Sequence, residues 1–170
     1  MIEGKRCLLR PYRTSDIAAL PALAGDFAVA RWMTATFPHP YTPADAEAWV
    51  ARASADSPLD NFAVEVGGEL AGGIGLRPHD GEHAGVADFG YWFGRAFWGH
   101  GLATEAARLC IAYAIRERGL RRLEAHVFAP NLASARVLEK CGFVREAVMR
   151  EALVERDGSV VDAWLYALVR

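Results

Sequence analysis

The stretch Tyr91-Trp92-Phe93-Gly94-Arg95-Ala96-Phe97-Trp98-Gly99-His100-Gly101-Leu102-Ala103-Thr104-Glu105 decides how this chain folds and what it can hold. An extended aromatic run ends, glycines follow, and a helical segment begins at once. Glycine permits left-handed backbone and close approach. A helix start presents amides at the positive end of the helix dipole. Together they predict a cradle for a phosphate-bearing ligand. The same glycines could simply shape a turn. A dinucleotide fingerprint needs glycine or alanine where Thr104 stands, and normally opens a chain of alternating strands and helices. A nucleotide P-loop needs a terminal Gly-Lys-Ser/Thr, which is absent.

Working outward, Val86–Phe93 reads as a strand, preceded by extended runs at 62–66 and 70–76 around the hairpin signal Gly67-Gly68. Antiparallel pairing of these three is the economical arrangement. A first short strand is expected at 6–10. Thr14-Ser15-Asp16 supplies N-cap chemistry for a helix running to Gly25, and Thr42-Pro43 opens a second helix that fades near Ser54. Downstream, a helix at 103–118 with Gly119 just past its end is followed by a strand at 123–128. Asn131 caps a helix ending at Cys141. Two last strands, 143–154 and 160–168, turn around Asp157-Gly158. The strand–helix–strand crossover in the middle predicts a parallel pair within one mixed α/β domain covering residues 1–170.

With 170 residues, 52% hydrophobic and 24% charged, the chain can bury an ordinary core, and its net charge of -2 argues against a surface built for nucleic acid. Cys7, Cys110 and Cys141 have neither disulfide-framework nor metal-ligand spacing, so no metal is expected. The start of the chain does not resemble a signal peptide and no apolar run is long enough for a bilayer, so a soluble cytoplasmic protein with no membrane partner is expected.

Gly90-Tyr91-Trp92 followed by Trp98-Gly99-His100-Gly101-Leu102-Ala103-Thr104-Glu105-Ala106 resembles the first signature of the GNAT superfamily of acyl-CoA-dependent N-acyltransferases. Asn131-Leu132-Ala133-Ser134-Ala135-Arg136-Val137-Leu138-Glu139-Lys140-Cys141-Gly142-Phe143 is similar to its second. Leu9-Arg10-Pro11 and Tyr41-Thr42-Pro43, with Ala46 and Trp49, look like the branch containing the ribosomal-protein alanine N-acetyltransferases. Trp98 stands where the superfamily often has Gln or Arg; aromatics are common there in this branch.

The resemblance implies the GNAT fold: an α/β (α+β) domain whose single mixed, mostly antiparallel, strongly twisted sheet has about seven strands, a central splayed parallel pair and about four helices. It implies acetyl-CoA as acyl donor and an amine acceptor, in a monomer or homodimer. The amides of Gly99, His100, Gly101, Leu102, Ala103 and Thr104 would take the coenzyme A diphosphate. The backbone of Tyr91, Trp92 and Phe93 would pair with the pantetheine arm, with an amide near Tyr91 or Trp92 stabilising the thioester oxygen. Asn131 matches a cofactor contact, although an N-cap role explains it without a ligand. Ser134 matches the proposed acid for the departing thiolate; a small polar residue in a first helical turn is the plainer reading.

The base stays open. Asp88 precedes Phe89-Gly90-Tyr91 where relatives often carry an acid. A glutamate proposed in relatives falls at Leu153, which lacks it; Glu151 and Glu155, two residues to either side, would share a strand face. The missing glutamate also keeps alive a non-catalytic acyl-CoA sensor. Trp32, Phe37, His39 and Tyr41 could wall an acceptor pocket or simply pack, and Arg136 and Lys140 could approach the phosphates or be surface charges.

Overall fold

The computed structural model describes residues 1–170. In chain order the elements are β1 (Ile2–Glu3), β2 (Leu8–Arg10), α1 (Leu20–Ala24), α2 (Phe27–Ala30), α3 (Pro43–Ser54), β3 (Asn61–Val66), β4 (Glu69–Pro78), β5 (Val86–Phe93), α4 (Leu102–Arg116), β6 (Arg122–Phe128), α5 (Leu132–Lys140), β7 (Val144–Val154) and β8 (Val160–Val169). The strands follow the order β1-β2-β3-β4-β5-β6-β8-β7 in one sheet. Pairing is antiparallel throughout β1-β2-β3-β4 and β6-β8-β7, whereas β5 and β6 run parallel over Val86–Asp88 and 122–124. The parallel pair is joined through α4, the crossover that the sequence predicts. No helix is long and apolar enough to cross a membrane, and no group of His, Cys, Asp and Glu could hold a metal ion.

Eight strands and five helices stand where about seven and four are expected. The extra strand is the two-residue β1. The helix expected over 14–25 is interrupted: a 3-10 turn at Thr14–Asp16 ends, and α1 restarts with Pro21 in its first turn. A proline has no N–H to donate and clashes with the preceding turn, so it opens a new helix rather than continuing one. A further short helix, α2, is capped by the Asp26 carboxylate on the amide of Ala28. By contrast α3 starts as read, with Thr42 Oγ1 accepting from the amide of Asp45 and Asp45 accepting from that of Thr42.

Contacts divide the chain into two units. The first comprises Met1–Gly75 with Tyr91–Cys110. Its apolar core gathers Tyr12, Leu20, Tyr41, Val50 and Trp92, all buried. Tyr12 meets Trp49 edge-on at 5.7 Å and Phe37 meets Trp92 at 6.1 Å, geometries that aromatic quadrupoles favour. Of the four rings read as pocket wall or packing, Tyr41 is in this core and Phe37 packs against it, whereas His39 is exposed. Within this unit Arg10 is 2% exposed and forks onto Asp16, Nη1 and Nη2 each 2.8 Å from a carboxylate oxygen, while its Nε donates to Glu65. Burying a guanidinium is tolerable because two carboxylates and the carbonyl of Pro11 accept from it.

The second unit comprises Leu76–Gly90 with Ile111–Arg170. Phe89 stacks on Phe143 at 5.5 Å, and buried Tyr166 donates its hydroxyl to Glu139 at 2.8 Å. Along β7 the register shifts between Met149 and Leu153, where Glu151 takes a positive φ of 51°. That bulge disrupts the period-two alternation.

Candidate functional site

The junction between β5 and α4 is built in the first unit. The amide of Gly94 donates to the carbonyl of Ala71 at 2.9 Å, pinning the end of β5, and a 3-10 turn at Arg95–Phe97 follows. Trp98 folds its indole back, Nε1 donating to the carbonyl of Phe93 at 2.7 Å. Gly99 and Gly101 both adopt left-handed backbone, φ 78° and 75°, where a side chain would be strained. The α4 ladder opens with the amide of Glu105 donating to the carbonyl of Gly101 at 3.2 Å. The first turn of α4 therefore follows directly on the two glycines, at the positive end of the helix dipole. Leu102, Ala106, Ala107 and Cys110 are buried, so α4 is anchored by its apolar side while Gly99, His100 and Gly101 are exposed. A fixed helix end with an exposed glycine loop can receive a multiply charged anion.

Tyr91, Trp92 and Phe93 finish β5, Trp92 and Phe93 buried and Tyr91 half-buried. Two glycines of β4 press on them. A Cβ on Gly72 would fall on the carbonyl oxygen of Trp92 and 2.9 Å from the Cα of Phe93. On Gly73 it would lie 2.7 Å from the indole nitrogen of Trp92 and strike the hydroxyl of Tyr12.

Two positions of α5 stand as the sequence suggests: Asn131 is the N-cap, its side chain accepting from the amide of Ser134 at 3.2 Å, and Ser134 is half-buried in the first turn. Asp88 is half-buried on β5 and accepts from Arg77 Nε at 2.9 Å and faces His79 Nε2 at 3.1 Å. Burial pushes its pKa up, but the bonds from His79 and Arg77 outweigh this and hold it below the ordinary carboxylate value. Asp88 is therefore a carboxylate held by its neighbours. Glu151 is exposed, its amide donating to Asp162 at 2.9 Å. The expected shared face of Glu151 and Glu155 is corrected: Glu155 is buried just beyond β7, its amide bonded to the carbonyl of Ser159, and the bulge intervenes.

Burial pushes the Cys7 thiol up to about 11 and the Cys110 thiol up to about 12, so both stay protonated at neutral pH and neither is a thiolate nucleophile.

Two bonding roles escaped the sequence. Trp98 ties the loop to the end of β5, and Arg6 ties it to Glu105 and to the carbonyl of His100. Indole N–H chemistry hints at the first. The second joins residues 99 apart, which no local pattern signals.

A mixed sheet with a parallel β5–β6 pair and an anchored α4 defines an α/β protein with an exposed glycine loop at a strand–helix junction. The acetyltransferase (GNAT) domain of known proteins matches residues 6–144, and the chain belongs to this family. It superimposes on the GNAT-family acetyltransferase of Bacillus anthracis with a TM-score of 0.85 at 26% identity, over 99% of this chain and 97% of that one. For RimJ of Mycobacterium smegmatis, solved in complex with CoA-disulfide, the TM-score is 0.83 at 27% identity, over 96% and 81% of the two chains. YkkB of Bacillus subtilis is 39% identical over 84 residues, 49% of either protein. The chain spans 36% to 56% of the length of the first curated relatives that it matches.

Proposed function

We propose that this protein transfers an acetyl group from acetyl-CoA to a primary amine, a protein N-terminus or a small molecule, by direct attack of the amine on the thioester. The observation that carries the reading is the loop from Gly99 to Thr104, two left-handed glycines leading into an anchored helix end. Its amides hold the donor's diphosphate. The backbone of Tyr91, Trp92 and Phe93 pairs with the pantetheine arm, and an amide of that segment stabilises charge growing on the thioester oxygen. Direct attack agrees with the burial of Cys7 and Cys110, which keeps both thiols away from a thioester. The likeness to RimJ supports a donor of the coenzyme A class. Reduced thiols at all three cysteines suit a cytoplasmic enzyme.

Acyl transfer needs a neutral amine and a proton for the leaving thiolate. Ser134 donates that proton, and Asn131 contacts the donor while fixing the helix end that carries Ser134. Amine deprotonation falls to Glu151 or Asp88. The hydrogen bonds from His79 and Arg77 lower the basicity of Asp88, which favours Glu151. Ser134→Ala is expected to lower kcat about a hundredfold, within the usual span for a positioned acid, with affinity for coenzyme A kept. Glu151→Gln should lower kcat about a hundredfold, the usual scale for losing a positioned base, with affinity for coenzyme A kept. A double Asp88→Ala, Glu151→Ala protein with an unchanged profile and turnover would exclude both bases.

The function itself is tested by incubating the protein with acetyl-CoA and a panel of peptides, polyamines and amino sugars, followed by mass spectrometry. A 42 Da gain, the mass of an added acetyl group on roughly any amine whose proton it replaces, identifies the acceptor class. Saturable donor binding with no acylated amine would instead favour an acyl-CoA sensor, a reading that Leu153 supports by occupying the relatives' glutamate position.

A further inference from the structure

We infer that Arg6 is the positioning residue that sets the glycine loop for a diphosphate, by holding the carbonyl of His100 and cancelling the charge of Glu105. The inference deepens the proposed donor site and rests on that reading.

Glu105 lies in the first turn of α4, where an acidic side chain ordinarily serves the helix's own end. Here the turn between β1 and β2 takes it. The backbone amide of Arg6 donates to Glu105 Oε1 at 2.8 Å and its Nε donates to Oε2 at 2.8 Å. The turn comes this close because residue 4 is glycine: a Cβ there would lie 2.8 Å from both Glu105 Oε1 and Leu109 Cδ1. Arg6 spends a further donor on the loop, Nη1 reaching the carbonyl of His100 at 2.7 Å, and Nη2 stands 3.5 Å from where a Cβ on Gly101 would be.

Two consequences follow. In a trans peptide the C=O and the next N–H point in opposite directions. Drawing the carbonyl of His100 toward Arg6 therefore turns the amide of Gly101 to the other side of the loop, the direction a bound anion would use. Secondly, a bare carboxylate in this first turn would repel a diphosphate, and the guanidinium neutralises it at contact distance. A lysine could supply the charge but not the planar fork that serves both partners. An ordinary half-exposed ion pair, worth little, would have neither effect.

The test is calorimetric titration of the whole protein with coenzyme A and with S-acetylpantetheine, which lacks the diphosphate. Arg6→Ala should weaken coenzyme A binding about tenfold, the usual consequence of losing a charge-assisted bond and stranding its acceptor. Its effect on S-acetylpantetheine should stay within about twofold. Arg6→Lys should recover part of the loss, as should adding Glu105→Gln to Arg6→Ala, because the stranded carboxylate is then gone. Coenzyme A affinity unchanged in Arg6→Ala, or an equal loss for both ligands, would overturn the role of Arg6 alone. Absence of coenzyme A binding by the unaltered protein would instead overturn the parent reading.

Discussion

Arg10→Met is expected to lower the thermal midpoint by about 10 °C, from a loss of about 3–5 kcal/mol, the usual result of breaking a buried pair in a protein of this size. The side chain that replaces Arg10 has similar reach and is apolar, so packing changes little. What remains is the trouble: Asp16, 4% exposed, keeps its charge but loses both oxygens' bonds to the guanidinium. The amide of Arg13 still donates to Asp16 at 2.8 Å, which tempers the loss without replacing the fork. Calorimetric unfolding of the two proteins checks this, and a midpoint shift under about 2 °C would show that solvent reaches Asp16.

The same network sets an acid limit. Burial raises the pKa of Asp16, but its bonds from Arg10 and Arg13 outweigh this and leave it below the ordinary value of 3.8. A carboxyl whose folded pKa is depressed binds its proton more readily when unfolded. Its stabilising contribution is present above pH about 4 and fades as pH falls through the folded value. Asp16→Asn should therefore flatten the acid side of the stability profile as well as lowering it.

Gly72→Ala is expected to cost about 2–3 kcal/mol, the range for forcing extra volume into a packed strand pair. The atoms in its way are backbone, the carbonyl of Trp92 and the Cα of Phe93, so no side chain can swing aside. One strand must move. Alanine would otherwise gain up to about 1 kcal/mol by restricting the unfolded chain, and the clash has to exceed that. Gly68→Ala is the control: its Cβ meets nothing within 4 Å, and with φ at 86° it carries only the conformational cost of roughly 1–2 kcal/mol. Because the segment displaced is the one proposed to pair with pantetheine, Gly72→Ala should also weaken coenzyme A binding, whereas Gly68→Ala should not. Equal midpoints for the two proteins would mean that β4 and β5 adapt freely.

What was legible in the sequence was what is encoded locally. The junction at Gly99 and Gly101 announces itself because left-handed backbone demands glycine, and both residues adopt it. Thr42, Pro43 and Asp45 spell a helix start over four residues, and Asn131 with Ser134 does the same. The interruption at Pro21 was available to local reasoning too, yet alanines and leucines on either side favour a continuous helix. Other features are not local. Nothing around Glu151 marks a non-glycine residue at positive φ; the bulge arises from pairing with β8. The partners of Asp88, Arg77 and His79, come from the neighbouring β4 strand and its turn, and no pattern around Asp88 signals them. Arg6 looked like the first residue of a strand and became the clamp of a loop far along the chain.

Titration of the purified protein with coenzyme A tests the donor site most directly. One molecule per chain should bind saturably, with Kd on the order of 10 μM, in keeping with the usual working range of enzymes. Gly101→Val, which places a branched side chain at left-handed backbone in the loop, should abolish that binding while the protein stays folded. No saturation by the unaltered protein up to about 1 mM, the upper end of that range, would contradict a diphosphate cradle between β5 and α4.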